Sequence, residues 1–229
     1  MKFHSDLFGW EYVWRNFADE KGGRVVTDSG EDEGKLISLT IPVEGSGVRV
    51  IFAPESRHGK KASSNSVMVC YPPAGDFAFS IFQEKMHHQL GKAVGLQDLK
   101  VQDDLFDSKF MIQGNNAVKV QELFLEGQLR ELILLQPPSL LHIDTSASKT
   151  YPKFGIPHDV HALVYHYDGV MDKLHHLETA YDIVIKVLQQ LGSIGAISGI
   201  AADIREEDDR ESEQVTTQSK RLRSPLLDR

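Results

Sequence analysis

Apolar residues recur along this chain with two different spacings, and the changes of spacing divide it into elements. Leu7, Trp10, Trp14 and Phe17 follow one another at intervals of three and four, which puts them on one face of a helix. Ser5 or Asp6 can cap its start through a side-chain oxygen, and Gly22-Gly23 ends it. Beyond an acidic, glycine-containing stretch at 28–34 the period falls to two. Ile37, Leu39 and Ile41, then Val48, Val50 and Phe52, alternate with polar residues around the turn-forming run VEGSG, which predicts a β-hairpin. A polar, basic loop at 56–66 leads to a third strand through Val67, Val69 and Tyr71, closed by Pro72-Pro73, and a fourth short strand at 77–82. The connections are too short for crossover helices, so antiparallel pairing is expected.

Residues 83–94 predict a helix and 109–113 a strand. Asn115 or Asn116 can cap the next helix, whose apolar face is Val120, Leu123 and Phe124. Gly127 weakens or breaks it, a second helical piece runs through Leu129, Leu132 and Ile133, and Pro137-Pro138 stops that piece. A strand at 140–144 is followed by a Ser/Pro-rich loop at 145–157 and a strand at 160–167. Asp172 can then cap an amphipathic helix in which Leu174, Leu177, Tyr181, Val184, Leu188 and Leu191 are spaced by three and four, with Gly192 suited to its C-cap. That seam serves either the protein's own core or a homodimer through 172–191. The expectation is therefore an α+β fold: an antiparallel sheet with helices packed on one face.

Composition leaves this picture in place and marks its end. The chain has 229 residues, 41% hydrophobic and 25% charged, enough for one core without metals or disulfides. After Ile204 the character changes: 205–214 holds six acids and two arginines, and 220–229 four bases and one acid. Little in that stretch can be buried, so the division is a single domain at 1–204 and a disordered, charged tail at 205–229. The net charge of -8 lies mostly on the domain, which argues against nucleic acid as a partner. With one cysteine, Cys70, there is no internal disulfide or thiolate zinc cluster. The first twenty residues lack an apolar signal core, and the weakly polar run 191–204 is too short to span a bilayer. The expectation is a cytoplasmic protein.

The stretch 106–135, FDSKFMIQGNNAVKVQELFLEGQLRELILL, resembles the run FDxxFxVxxxDxxxAxxLLTPxLxxxLLxL of a domain of unknown function in bacterial proteins, some of them membrane-anchored. The segment 163–191 is similar to the next part of that domain: a strand, a Gly-Asp-rich turn and a long amphipathic helix. The resemblance implies a bacterial source and an α+β fold. It carries over no catalytic residue, and this chain departs from the pattern in lacking a transmembrane segment.

Candidate chemistry centres on the ten histidines. His158, His161 and His166 superficially have metal-ligand spacing, but 161 and 166 differ by five and point to opposite faces of a strand. The adjacent pairs His87-His88 and His175-His176 diverge on a helix. His142 and His166 meet if their strands are neighbours, and Asp144 lies on the same face as His142, so these three form the candidate metal or acid–base site. Ser193 and Ser198 lie in LGSIGAISG, which lacks the spacing of a nucleophile elbow. Cys70 has no cation nearby in sequence and reads as a structural thiol. No phosphate-binding glycine motif occurs, although the 57–61 loop, RHGKK, can hold an anion. Asp103, Asp104 and Asp107 read as solvated turn residues, and Lys220–Arg223 as a short basic cluster that either binds an anionic partner or folds back on the acidic run. No cofactor and no bound metal are expected.

Taken together, these patterns point to a non-enzymatic module that binds another protein, with Trp10 and Trp14 as the expected partner-binding residues. The alternative is a small hydrolase, metal-dependent or acid–base, that uses His142, Asp144 and His166.

Overall fold

The computed structural model describes residues 9–27, 36–55, 64–83 and 97–198. Its first helix, α1 (Trp10–Glu20), starts after Gly9 and buries Val13, Trp14, Phe17 and Ala18. The expected Ser5 or Asp6 cap and Leu7 lie outside the described residues. So do the acidic stretch at 28–34, the 57–61 loop, all but Gln83 of the helix expected at 83–94 with His87-His88, and everything from 199 onward.

Nine strands form one sheet: β1 (Arg24–Thr27), β2 (Leu36–Pro42), β3 (Arg49–Glu55), β4 (Ser64–Tyr71), β5 (Phe79–Gln83), β6 (Gln97–Leu99), β7 (Phe110–Gly114), β8 (Leu140–Asp144) and β9 (His161–Asp168). Their order is β1-β2-β3-β4-β9-β8-β5-β7-β6. Every pairing is antiparallel. The β2–β3 hairpin is the one the VEGSG run predicts: the Val43 N–H donates to the Val48 carbonyl at 2.9 Å, and Gly45 and Gly47 take left-handed backbone angles (φ 69 and 66) that side chains resist. At the centre, β4 and β9 pair from Ser64↔Asp168 to Tyr71↔His161. This ladder draws Ser64–Ser66 out of the expected loop and into the strand. Asn65 is fully buried there, and its Oδ1 accepts from the Met171 N–H at 2.7 Å.

The remaining helices are α2 (Asp104–Lys109), α3 (Ala117–Leu123), α4 (Gly127–Leu135), α5 (Ala147–Thr150) and α6 (Leu174–Ser193). One face of the sheet presents Leu39, Val50, Phe52, Val69, Ile81, Leu141, Leu163 and Tyr165 to a single core that also takes in the buried sides of α1, α3, α4 and α6. The other face carries a smaller cluster of Met68, Ala147, Ala162 and Val164, bordered by Cys70, Tyr151, Phe154 and Ile156. The segment expected to be loop at 145–157 thus contains α5 and a 3-10 turn (Pro152–Phe154), because its apolar residues roof the second face.

Three local expectations change. Residues 103–109 are not a solvated turn: Asp103 caps α2 by accepting the Phe106 N–H at 3.0 Å. Asp172 does not cap α6, whose N-cap position is Lys173 and has no side-chain capping bond. The glycine that ends α6 is Gly195 rather than Gly192: its φ is 64, its N–H donates to the Gly192 carbonyl, and the Ala196 N–H donates to the Leu191 carbonyl at 2.9 Å, the paired bonds of a Schellman ending. By contrast, Asn116 caps α3 by accepting the Lys119 N–H, as its position predicts.

Candidate functional site

β8 and β9 lie side by side and place His142 opposite Val164 and His166 opposite Leu140. The two imidazoles are diagonal neighbours on the second face, stacked with centroids 5.6 Å apart and planes 20° from parallel. His166 Nδ1 also stands 3.6 Å from Glu55 Oε1 on β3. Asp144 does not complete a triad. Its Oδ1 accepts the Ser146 N–H at 2.7 Å, which fixes the turn into α5. His142 Nε2 is buried without a hydrogen-bond partner.

Burial lowers the His142 pKa to about 4, and the neighbouring His166 pushes the same way, against the opposing pull of Asp144 and a backbone hydrogen bond at Ile143. A general base works best with a pKa near the working pH, so His142 at about 4 is a neutral, half-buried ring rather than a poised base. Among the described residues no group of three or more His, Cys, Asp or Glu side chains can hold a metal ion. The metal-dependent version of the His142, Asp144, His166 site therefore lacks a ligand set.

The other candidates are taken up by the fold. His161 shares its face with Tyr71, with ring centroids 6.3 Å apart, and so does not meet His166. His158 Nδ1 pairs with Ser148 Oγ at 3.0 Å. His175 and His176 do not diverge: their rings sit edge to face at 4.4 Å at the start of α6, where the first turn leaves both free to lean together. Burial pushes the Cys70 thiol up to about 11, so it is protonated and weakly nucleophilic. Ser193 Oγ donates to the Gln190 carbonyl at 2.8 Å, and Ser198 Oγ to the carbonyls of Pro72 and Pro73.

Trp14 is fully buried; its Nε1–H donates to the Met171 carbonyl at 2.8 Å and its ring meets Phe52 edge-on at 5.9 Å. Trp10 stacks edge-on against Trp14 at 5.3 Å and keeps part of its surface exposed. Most of the α6 seam is likewise spent: Leu177, Val184, Leu188 and Leu191 are at most 1% exposed within this one chain, while Tyr181 is half-buried and Leu174 at the helix start is 39% exposed. Most of the apolar surface expected for a homodimer through 172–191 is thus already used within the chain.

More exposed apolar side chains lie elsewhere, among them Leu135 at the end of α4, which is 74% exposed. Leu105 on α2 is 56% exposed, Val118 on α3 63%, and Leu125 just past α3 76%. Val118, Glu122 and Leu125 are spaced by four and three, so they run along the outward side of α3 and its last turn, which the Leu125 N–H extends by donating to the Glu122 carbonyl. Arg130 ties the start of α2, next to Leu105, to the end of α3. That guanidinium donates through Nε to Asp103 Oδ2 at 2.9 Å, beside Leu105, and through a terminal nitrogen to the carbonyls of Phe124 and Leu125. Gly114 lets α3 sit this close to the sheet, since a Cβ there would meet Val120 at 2.7 Å. Sequence reasoning missed this surface. The available signal was the i, i+7 relation of Val118 and Leu125, opposite the face formed by Val120 and Leu123.

These features define the class: an α+β protein with one antiparallel nine-stranded sheet, a helical layer and an exposed apolar stripe on its short helices. No protein-family model matches the chain, and no curated protein does. Among solved structures it is similar to the crystal structure of the mycobacterial trehalose monomycolate transport factor A, TtfA, with a TM-score of 0.52 at 6% identity, over 83% of this chain and 98% of that one. At that identity the likeness is one of fold alone. Among the described residues no helix is long and apolar enough to cross a membrane.

Proposed function

We propose that this chain is a non-catalytic accessory module that works by binding another protein, and that the outward stripe of α2 and α3 is where it binds. The observation that carries the reading is the exposure of Leu105, Val118 and Leu125 on two helices tied together by Arg130, while Trp14 and most of the α6 seam are enclosed. Aliphatic side chains held on short, capped helices supply an apolar contact at little entropic cost. The fold likeness to TtfA, a protein described as a transport factor, supports an accessory role of this kind. A bacterial, cytoplasmic setting belongs to the same proposal.

The acid–base reading of His142, Asp144 and His166 has less support, because His142 is a neutral, half-buried ring and Asp144 is engaged in a turn. Affinity purification of the tagged chain from its native cell tests the binding reading. Leu105→Ser/Leu125→Ser is expected to lose a protein that the unaltered chain and Trp10→Ala both retain. An unchanged set of co-purified proteins would overturn it.

A further inference from the structure

The α2–α3 stripe has an acidic rim. Asp104 stands next to Leu105, and Glu122 lies between Val118 and Leu125; both are exposed, and among the described residues neither is held in an ion pair. Two bases near the stripe are engaged elsewhere: Arg130 with Asp103 and two carbonyls, and Lys119 with the Gly195 carbonyl at 3.4 Å and the Phe77 ring. An apolar strip with carboxylates outside any ion pair fits an occupant that combines leucines with cations.

The chain carries such a segment. Residues 220–229 read KRLRSPLLDR, with Lys220, Arg221 and Arg223 interleaved with Leu222, Leu226 and Leu227. The point where the described chain ends favours its arrival. Ser198 is held against Pro72 and Pro73, and Ala196 lines a hollow of about 160 Å³ with Asn115, Asn116 and Lys119 at the start of α3. From Lys119 to Leu125 is roughly 9 Å along the helix axis. The intervening run 199–219 can span up to about 70 Å when extended. Proximity gives the intramolecular encounter a high effective concentration, so a weak contact suffices to occupy the stripe.

We propose that the C-terminal segment 220–227 docks on the Leu105/Val118/Leu125 stripe of its own chain, with its cations facing Asp104 and Glu122, and so covers the surface a partner protein would use. This rests on the stripe being a binding surface, and it adds a regulator: a partner must displace the chain's own terminus. The competing destination is the acidic run at 206–213, which offers the same cations carboxylates but no leucines.

Carbodiimide cross-linking of the full-length chain tests this, because an amide forms only where a carboxylate and an amine touch. Lys220 is the one lysine from 199 onward, so its products are unambiguous by peptide mass. Mixing isotopically light and heavy protein separates links within a chain from links between chains. The expected result is an intramolecular Lys220 link to Asp104 or Glu122. Its yield should fall about tenfold in Leu105→Ser/Leu125→Ser and in Leu222→Ser/Leu226→Ser/Leu227→Ser, the scale of losing one apolar side-chain contact. Because Leu105 and Leu125 are solvent-exposed, those substitutions leave the fold intact. Links only to 206–213, links only between chains, no Lys220 link, or a yield no higher than at remote Asp19 or Glu20 would each overturn the proposal. If the stripe variants still lose a co-purified protein in any of those cases, the binding reading stands and the docked terminus fails alone.

Discussion

His142 shows how one side chain sets a pH dependence. Its folded-state pKa is lowered to about 4 by burial and by His166, while the unfolded chain titrates near 6.5. A histidine that resists protonation when folded contributes stability above its unfolded pKa, and that stability is lost as pH falls from 6.5 toward 4. The expected loss between pH 7.5 and pH 5 is about 2 kcal/mol from this residue. Burial lowers His161 and His176 in the same direction, so the whole protein loses more. Urea denaturation at the two pH values checks this: His142→Leu should shrink the difference, and an unchanged difference would show that His142 is not its source. Trp14 is the complementary case. Trp14→Ala empties a fully buried site and orphans the Met171 carbonyl, so a destabilisation of about 3 to 5 kcal/mol is expected by denaturant titration.

Elements differ in how they are held, and this decides what a substitution does to them. α6 belongs to the core along its length, so Leu188→Ala is expected to cost about 2 to 5 kcal/mol and leave the oligomeric state unchanged by light scattering. Weaker association with little change in stability would instead mark a dimer seam. α3 depends on its cap, and Asn116→Ala should cost about 1 kcal/mol in the same titration. The longer elements were legible in the sequence because periodicity is a property of many residues. Val48, Val50 and Phe52 could only be a half-buried strand, and the three-four spacing of Leu177 to Leu191 only a helix face. β6 and α2 were not legible, since three and six residues show no period, and Asp103 caps a helix with the same chemistry that would make a turn. The ending at Gly195 was also hidden, because three glycines lie close together at the end of α6 and only backbone geometry selects one.

The whole molecule depends on pairings between distant parts of the chain, and that is where sequence reasoning runs out. No local pattern announces that β9 inserts between β4 and β8, yet this pairing stacks His142 on His166 and buries Asn65 against Met171. The candidate histidines were visible as residues, but their burial, and so their chemistry, depends on the α5 roof across the second face. The stripe of Leu105, Val118 and Leu125 was visible as apolar positions, but only the fold shows which apolar residues remain unspent. The central claim is that this stripe binds a partner protein. Its most direct test is the affinity of the purified chain for the protein that co-purifies with it, compared with Leu105→Ser/Val118→Ser/Leu125→Ser of unchanged thermal stability. Affinity should fall by about tenfold or more, on the order of one lost apolar contact. Equal affinity for a variant of equal stability would contradict it.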